Sequence, residues 1–150
     1  MRSLRFLVPG LIAAMACAGV ALAQEAKPSV YIPKAPPKQS LPFPYGRTFV
    51  AVTYKDQAFK DDRPTFRLSS QNRGTGWSAC NNWSATVIAR PDQRMVVGPV
   101  AVTKRQCDAR LMHNEQVFLF VMRTAQTWSF DGKTLTMTGP YGPVTFEPSV

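Results

Sequence analysis

The sequence predicts a β-rich α+β domain: a strongly bent antiparallel sheet or small open barrel of about seven or eight short strands, with one α-helix packed against it. Two observations carry this prediction. From residue 45 onward, short runs of alternating apolar and polar residues are separated by glycine, proline, asparagine and aspartate, as in a series of half-buried strands. Apolar residues follow helical spacing in one stretch, from about 106 to 123.

Residues 1–23 are predicted to be a cleaved signal peptide. Two arginines precede an uncharged apolar run over 6–21, and Ala21-Leu22-Ala23 has the small-residue pattern of a cleavage site. A retained membrane anchor is the alternative, but the run is short for a span and a Pro-Gly pair interrupts it. Lipid attachment at Cys17 is a further alternative, although the preceding residues lack the branched aliphatic side chain usual at such sites.

Residues 24–44 are predicted to form a tether rich in proline and lysine. Six prolines and three lysines in this stretch favour extended, polyproline-like backbone that cannot build a core. The folded domain is then predicted over 45–150. Export would place the protein in the periplasm or outside the cell, with no stable transmembrane segment after cleavage.

The chain carries 18 lysines and arginines against 9 acidic residues, a net charge of +9. Such an excess of positive charge is a common feature of nucleic-acid-binding proteins. An exported protein instead meets anionic envelope components and acidic polymers. The predicted partner is therefore an anionic envelope component or another envelope protein, and no nucleic acid. Positive charge that serves solubility alone is the alternative.

Two cysteines, Cys80 and Cys107, remain after cleavage of the signal peptide. An oxidising compartment favours a disulfide between them, which would tie the sheet to the start of the helix. A zinc site would need further ligands, and His113 is the only histidine in the sequence. No metal and no cofactor are predicted.

The predicted strands are short and follow one another through the domain. A polar loop over 55–63 separates the first two, and the hairpin signal Asp131-Gly132 lies between two of the last three. Gly139-Pro140-Tyr141-Gly142 marks another turn. The predicted strand ranges are 47–54, 65–69, 73–79, 83–90, 94–97, 127–130, 133–138 and 144–146, while residues 100–102 lead towards the helix.

The stretch 73–84 is predicted to be two strand segments that meet at a Cys-Asn-Asn corner. Trp77 lies in the first segment and Trp83 opens the second. Asn81 and Asn82 suit the corner because short amide side chains tolerate left-handed backbone and form local hydrogen bonds.

The helix is predicted from about 106 to 123. Thr103 is a plausible N-terminal cap, because Gln106 stands three residues later in the capping-box position. A stripe that includes Phe118 and Met122 is expected to face the sheet. Glu115 lies within this stripe, and we expect a partly buried carboxylate bonded to backbone or to a nearby arginine.

Several short motifs stand in order through residues 45–150. They are Phe66-Arg67-Leu68, the stretch 74–84, the stretch 98–103, Cys107, Met112, Glu115, Phe118 and the stretch 128–137. This ordered set is similar to the META domain family, which includes the HslJ-type heat-inducible envelope proteins. The resemblance implies one helix packed across a strongly bent sheet. It also implies kinship with envelope lipoproteins and secreted proteins linked to stress tolerance or drug resistance, a family to which no catalytic activity is firmly attached.

No pairing of residues in the sequence predicts catalysis. The candidate binding residues are the tryptophans, whose amphipathic rings suit a groove or an interface, and the asparagines of the corner: Trp77, Asn81, Asn82, Trp83 and Trp128. Inward packing is the alternative for the tryptophans. The predicted function is a non-enzymatic binding module in envelope maintenance or in stress or drug resistance. The alternatives are an inhibitor or assembly chaperone that uses a strand edge, and an envelope hydrolase.

Overall fold

The computed structural model describes residues 40–60 and 62–149. Within them the chain forms ten strands and one α-helix, which confirms the predicted β-rich class. The elements are β1 (Thr48–Tyr54), β2 (Gln57–Ala58), β3 (Thr65–Leu68), β4 (Arg73–Trp77), β5 (Asn82–Ala89), β6 (Met95–Val97), β7 (Ala101–Val102), α1 (Ala109–Thr124), β8 (Thr127–Phe130), β9 (Leu135–Gly139) and β10 (Gly142–Pro148). The predicted signal peptide, Cys17 and the predicted tether up to residue 39 lie outside the described residues.

The strands form an antiparallel sheet that curls into a nearly closed barrel. The order is β6-β5-β4-β3-β1-β10-β9-β8, while β2 pairs with β1 and β7 pairs with β5. A bridge between Arg94 and Thr127 joins the two ends of this order. Beside it, the Met95 N–H donates to the Gln126 carbonyl at 2.9 Å. Closure of this kind pairs strand edges that would otherwise be open to another chain.

Apolar residues alternate along the strands and meet the helix inside the barrel. Phe118 and Met122 of α1 are fully buried. The Phe118 ring lies 5.9 Å from the Trp83 ring and 6.4 Å from the Phe146 ring, measured between centroids. Burial of these large side chains is the main favourable term in folding. The helix is therefore part of the core, as the bent-sheet prediction required.

The helix begins three residues later than predicted, and its cap is different. Its N-cap is Asp108, whose Oδ1 accepts a hydrogen bond from the Leu111 N–H at 3.0 Å. The predicted cap Thr103 is wrong, because its hydroxyl donates to Asn81 instead, at 2.8 Å. The helix also ends one residue later, at Thr124.

The β8–β9 hairpin is present, but its loop is longer than a two-residue turn. Phe130 pairs with Leu135, so four residues form the loop and the strand predicted from 133 begins at 135. Asp131 Oδ1 accepts hydrogen bonds from the Thr134 N–H at 2.6 Å and the Lys133 N–H at 2.8 Å. These bonds favour the charged carboxylate and lower the pKa of Asp131.

The end of the predicted tether packs on the barrel. Phe43 is buried, and its ring lies 5.0 Å from the Trp128 ring and 6.3 Å from the Phe66 ring. The Leu41 N–H donates to the Phe130 carbonyl at 2.9 Å. Residues 40–43 therefore cover part of the β8 edge and one side of the core. Within the described residues no helix has the length and apolar character needed to cross a membrane.

Gly139 is predicted to be intolerant of a side chain, because a Cβ there would lie 2.3 Å from the Thr124 carbonyl oxygen. We expect Gly139→Ala to lower the free energy of unfolding by about 2 kcal/mol, the cost of overpacking against backbone. Urea unfolding followed by circular dichroism measures it. Gly98→Ala is the matched control, since its Cβ would make ordinary contact at 3.4 Å. Equal stability of the two variants would contradict the close packing of β9 under the helix end.

Candidate functional site

The corner between β4 and β5 differs in detail from its prediction. Its turn is closed by the Ser78 N–H, which donates to the Asn81 carbonyl at 2.8 Å. The left-handed residue is Ala79, with φ of 88°, and neither asparagine takes that conformation. An alanine in this region is strained. The corner is therefore held by contacts from outside it.

Asn81 supplies most of these contacts. It is 2% exposed. Its Oδ1 accepts hydrogen bonds from the Arg105 N–H at 2.7 Å and the Thr103 hydroxyl at 2.8 Å. Its Nδ2 donates to Glu115 Oε1 at 3.1 Å and to the Arg105 carbonyl at 3.4 Å. One amide thus joins the corner, the connection 103–108 and the helix. It holds the structure together and is not open to a ligand.

Glu115 lies beneath the same corner. Its Oε2 accepts a hydrogen bond from the Ser78 hydroxyl and its Oε1 accepts one from Asn81. The expectation of backbone or arginine partners is therefore wrong, since a hydroxyl and an amide satisfy the carboxylate. Asp108, the nearest acidic residue along the helix, serves as the N-cap. Both carboxylates therefore accept hydrogen bonds from within the protein.

A disulfide joins Cys80 and Cys107, with a Cα–Cα distance of 6.0 Å. Cys80 is fully buried at the corner, and Cys107 lies just before the helix. The bond and the Asn81 amide therefore clamp the same two segments. A bonded Cys80 is not a nucleophile, so a catalytic pair with the exposed His113 is not formed.

Two of the three tryptophans belong to the core. Trp83 and Trp128 are each 3% exposed. Their indole N–H groups donate at 3.1 Å to the carbonyls of Thr65 and Arg90, respectively. Trp77, at the end of β4, is half-buried. Alternation places it on the outer face of the sheet, away from Trp83.

A groove crosses this outer face, and strand register explains its shape. Thr75 of β4 pairs with Ser84 of β5, which pairs with Ala101 of β7. This row of small side chains forms the floor of the groove. Trp77 and Arg73 each lie two residues from Thr75 along β4, so these larger side chains flank the row on the same face and form the two walls of the groove. We call this the outer groove; it has a volume of about 690 Å³ and is lined by Thr65, Arg73, Thr75, Gly76, Trp77, Asn82, Trp83, Ser84, Ala101, Val102 and Thr103.

The strands that build the outer groove carry positively charged residues and no acidic residue. Strands β3, β4, β5 and β7, which build this face, contain no aspartate or glutamate. They contain Arg73 in the groove wall and Arg67, which pairs with Thr75 at one end of the floor. The Arg105 guanidinium carbon lies 5.5 Å from the centroid of the Trp77 ring, within reach of a cation–π interaction.

The structure thus separates the predicted candidates. Trp77 and the exposed Asn82 line the outer groove, whereas Asn81 and Trp128 are structural, and Trp83 borders the groove although its ring is buried in the core. Arg73, Thr75 and Ser84 were missed, although the alternation of Arg73, Thr75 and Trp77 was a signal for one shared face. Residues 40–60 and 62–149 contain no group of three or more histidine, cysteine, aspartate or glutamate side chains that could hold a metal ion.

The model of the META domain family matches residues 46–150. The chain belongs to the META domain family. The comparison with curated proteins gives no significant match.

Solved structures share the fold of this chain. An NMR structure of a protein from Burkholderia xenovorans has a TM-score of 0.58 at 18% identity, over 79% of this chain and 99% of that one. A DUF4847 family protein from Bacteroides vulgatus has a TM-score of 0.51 at 13% identity, over 67% of this chain and 91% of that one. At such identities the likeness concerns the fold alone.

Asn81→Ala is expected to destabilise the META domain by about 3 kcal/mol, because it leaves buried partners without hydrogen bonds. The neighbouring substitution Asn82→Ala removes an exposed amide and should change stability by less than about 0.5 kcal/mol. Urea unfolding of both variants measures the difference. Equal effects would show that the buried amide does not hold the corner.

Removal of the disulfide is expected to cost about 3–4 kcal/mol of unfolding free energy on the chain-entropy account, for a separation of 27 residues. The test is urea unfolding of the double variant Cys80→Ala/Cys107→Ala. Wild-type protein treated with dithiothreitol should lose a similar amount, and the double variant should not respond to reductant. A wild type equally stable in both redox states would overturn this prediction.

Proposed function

We propose that this META protein is an exported, non-catalytic binding module that takes an anionic ligand in the outer groove. The observation that carries the proposal is the placement of Trp77 and Arg73 on either side of Thr75 along β4, in a groove built by strands that carry no acidic residue. An aromatic platform with a few positioned polar groups is typical of binding sites. Arginine is the side chain best suited to carboxylate and phosphate, because its fork can bond both oxygens.

The proposed setting is the cell envelope, in maintenance or in resistance to stress or drugs. Its support is the predicted signal peptide over 1–23 and membership of the META family. Among surfaces that an exported basic protein meets, anionic envelope components are attracted most strongly. The described part of the chain contributes 13 of the 18 lysines and arginines, so the domain carries most of the positive charge.

A binding role also fits what the polar groups do. General acid–base catalysis needs a positioned proton donor or acceptor within reach of a bound substrate. In the described residues the buried carboxylate is Glu115, and its oxygens are engaged by Ser78 and Asn81 inside the protein. The outer groove offers guanidinium, hydroxyl, amide and indole groups, which recognise a ligand rather than transform it.

The alternative of an inhibitor or chaperone requires a strand edge that can pair with another protein. Here the ends of the strand order are joined at Arg94 and Thr127. The described strands that lie off this ring, β2 and β7, have two residues each. Edges of that length are a device against pairing with another chain, so we favour the groove.

The proposal predicts that Arg73→Gln weakens binding to an anionic polymer, because it removes a charge-assisted contact in the groove. We expect about a tenfold rise in Kd. The measurement is calorimetric titration with polyglutamate, polyphosphate and polygalacturonate at low and high salt. Arg90→Gln is the matched control, since it removes the same charge from an exposed turn where Arg90 pairs with Asp92 at 3.2 Å. The proposal is refuted by equal loss in both variants or by no binding of any polymer.

A further inference from the structure

The outer groove contains polar groups beyond those needed to bind an anion. A carboxylate or phosphate is held by arginine and by backbone N–H groups. This groove adds the hydroxyls of Thr75 and Ser84 along its floor and the amide of Asn82 beside the indole of Trp77. These groups suit a ligand that has an apolar ring face and hydroxyls around its edge.

The dimensions of the floor set the size of the ligand. The row Thr75, Ser84 and Ala101 crosses three hydrogen-bonded strands. Neighbouring strands are about 4.8 Å apart, so the row is about 10 Å long. Arg67 extends the same row onto a fourth strand. A track of this length, open on the outer face of the sheet, fits two or more linked rings of an extended polymer.

The aromatic wall is restrained by contacts within the protein. The Trp77 backbone N–H donates to Thr65 Oγ1 at 2.8 Å. The Arg105 guanidinium lies against the indole, and the Arg105 backbone is itself bonded to the buried Asn81. A rigid wall loses little conformational entropy when a ring stacks on it. Such stacking between an indole and the C–H face of a ring contributes binding through buried apolar area.

From these features we infer that the ligand of the outer groove is an acidic saccharide, that is, linked sugar rings bearing carboxylate or phosphate groups. A sugar ring has a C–H face for Trp77 and hydroxyls for Thr75, Ser84 and Asn82. Its acidic group meets Arg73. This inference rests on the proposed function, because it names the chemical class of the anion that binds in the same groove.

The test compares three probes on the purified chain by calorimetry. Trigalacturonate is the acidic saccharide, galactotriose is its neutral counterpart, and triglutamate has acidic groups without sugar rings. We expect trigalacturonate to bind at least about tenfold tighter than either of the others, because it alone uses both the polar floor and the arginines. Equal binding of triglutamate would overturn the saccharide inference and leave the anion-binding function standing. Equal binding of galactotriose would overturn both, as would failure of all three.

Two variants locate the effect in the groove. Thr75→Val keeps the side-chain shape and removes a floor hydroxyl, so it should weaken trigalacturonate several-fold while any weak binding of triglutamate stays unchanged. Thr86→Val makes the same change at an exposed position of β5 outside the groove lining and should have no effect. Trp77→Leu should abolish the preference for trigalacturonate over triglutamate, provided that the variant still unfolds cooperatively. A preference that survives in Trp77→Leu and Thr75→Val would refute the assignment.

Discussion

The amide of Asn81 is buried, so every hydrogen bond it makes must be made inside the protein. It satisfies this constraint by bonding the connection 103–108 on one side and Glu115 of the helix on the other. The Cys80–Cys107 disulfide restrains the same junction covalently. Helix, corner and connection therefore have one relative position. Because Arg105 lies on that connection, the arrangement also positions the Arg105 guanidinium, which lies against the Trp77 ring of the outer groove.

The same constraint explains where sequence reasoning failed locally. Thr103 and Gln106 have the spacing of a capping box. However, the Thr103 hydroxyl donates a hydrogen bond to Asn81, and the helix is capped by Asp108, five residues later in the chain. Asparagine is a common left-handed residue, yet Ala79 takes that conformation because Asn81 is needed for long-range bonds. Both failures come from tertiary contacts between segments more than 20 residues apart. The fold class was accessible because it depends on periodicity, which is local.

The candidate site was predictable only in part, for a similar reason. Period-2 spacing placed Trp77 on a strand face but could not say which face was inside. Trp83 and Trp128 also lie in predicted strands, like Trp77, and the sequence does not distinguish them from it. In the structure they are core residues whose indole N–H groups donate to backbone carbonyls. The floor of the groove depends on the pairing of Ser84 with both Thr75 and Ala101, and that register appears only when the strands are assembled. Likewise, Phe43 sits in a proline-rich stretch whose composition favours a tether, although its ring packs in the core.

Two exposed arginines lie close together beside the groove, and the strands that carry them hold no acidic residue. Arg67 pairs with Thr75, and Arg73 lies two residues from Thr75 on the same face. The two arginines are thus diagonal neighbours on adjacent strands, about 7–8 Å apart by the usual geometry, where like charges repel. An acidic residue opposite Arg67 would offset this repulsion, but threonine stands there. The anion proposed for the outer groove would relieve this repulsion when it binds on this face. The disulfide and the satisfied Asn81 amide hold the opposite end of β4, where it turns into β5, so the strands keep their register despite that repulsion.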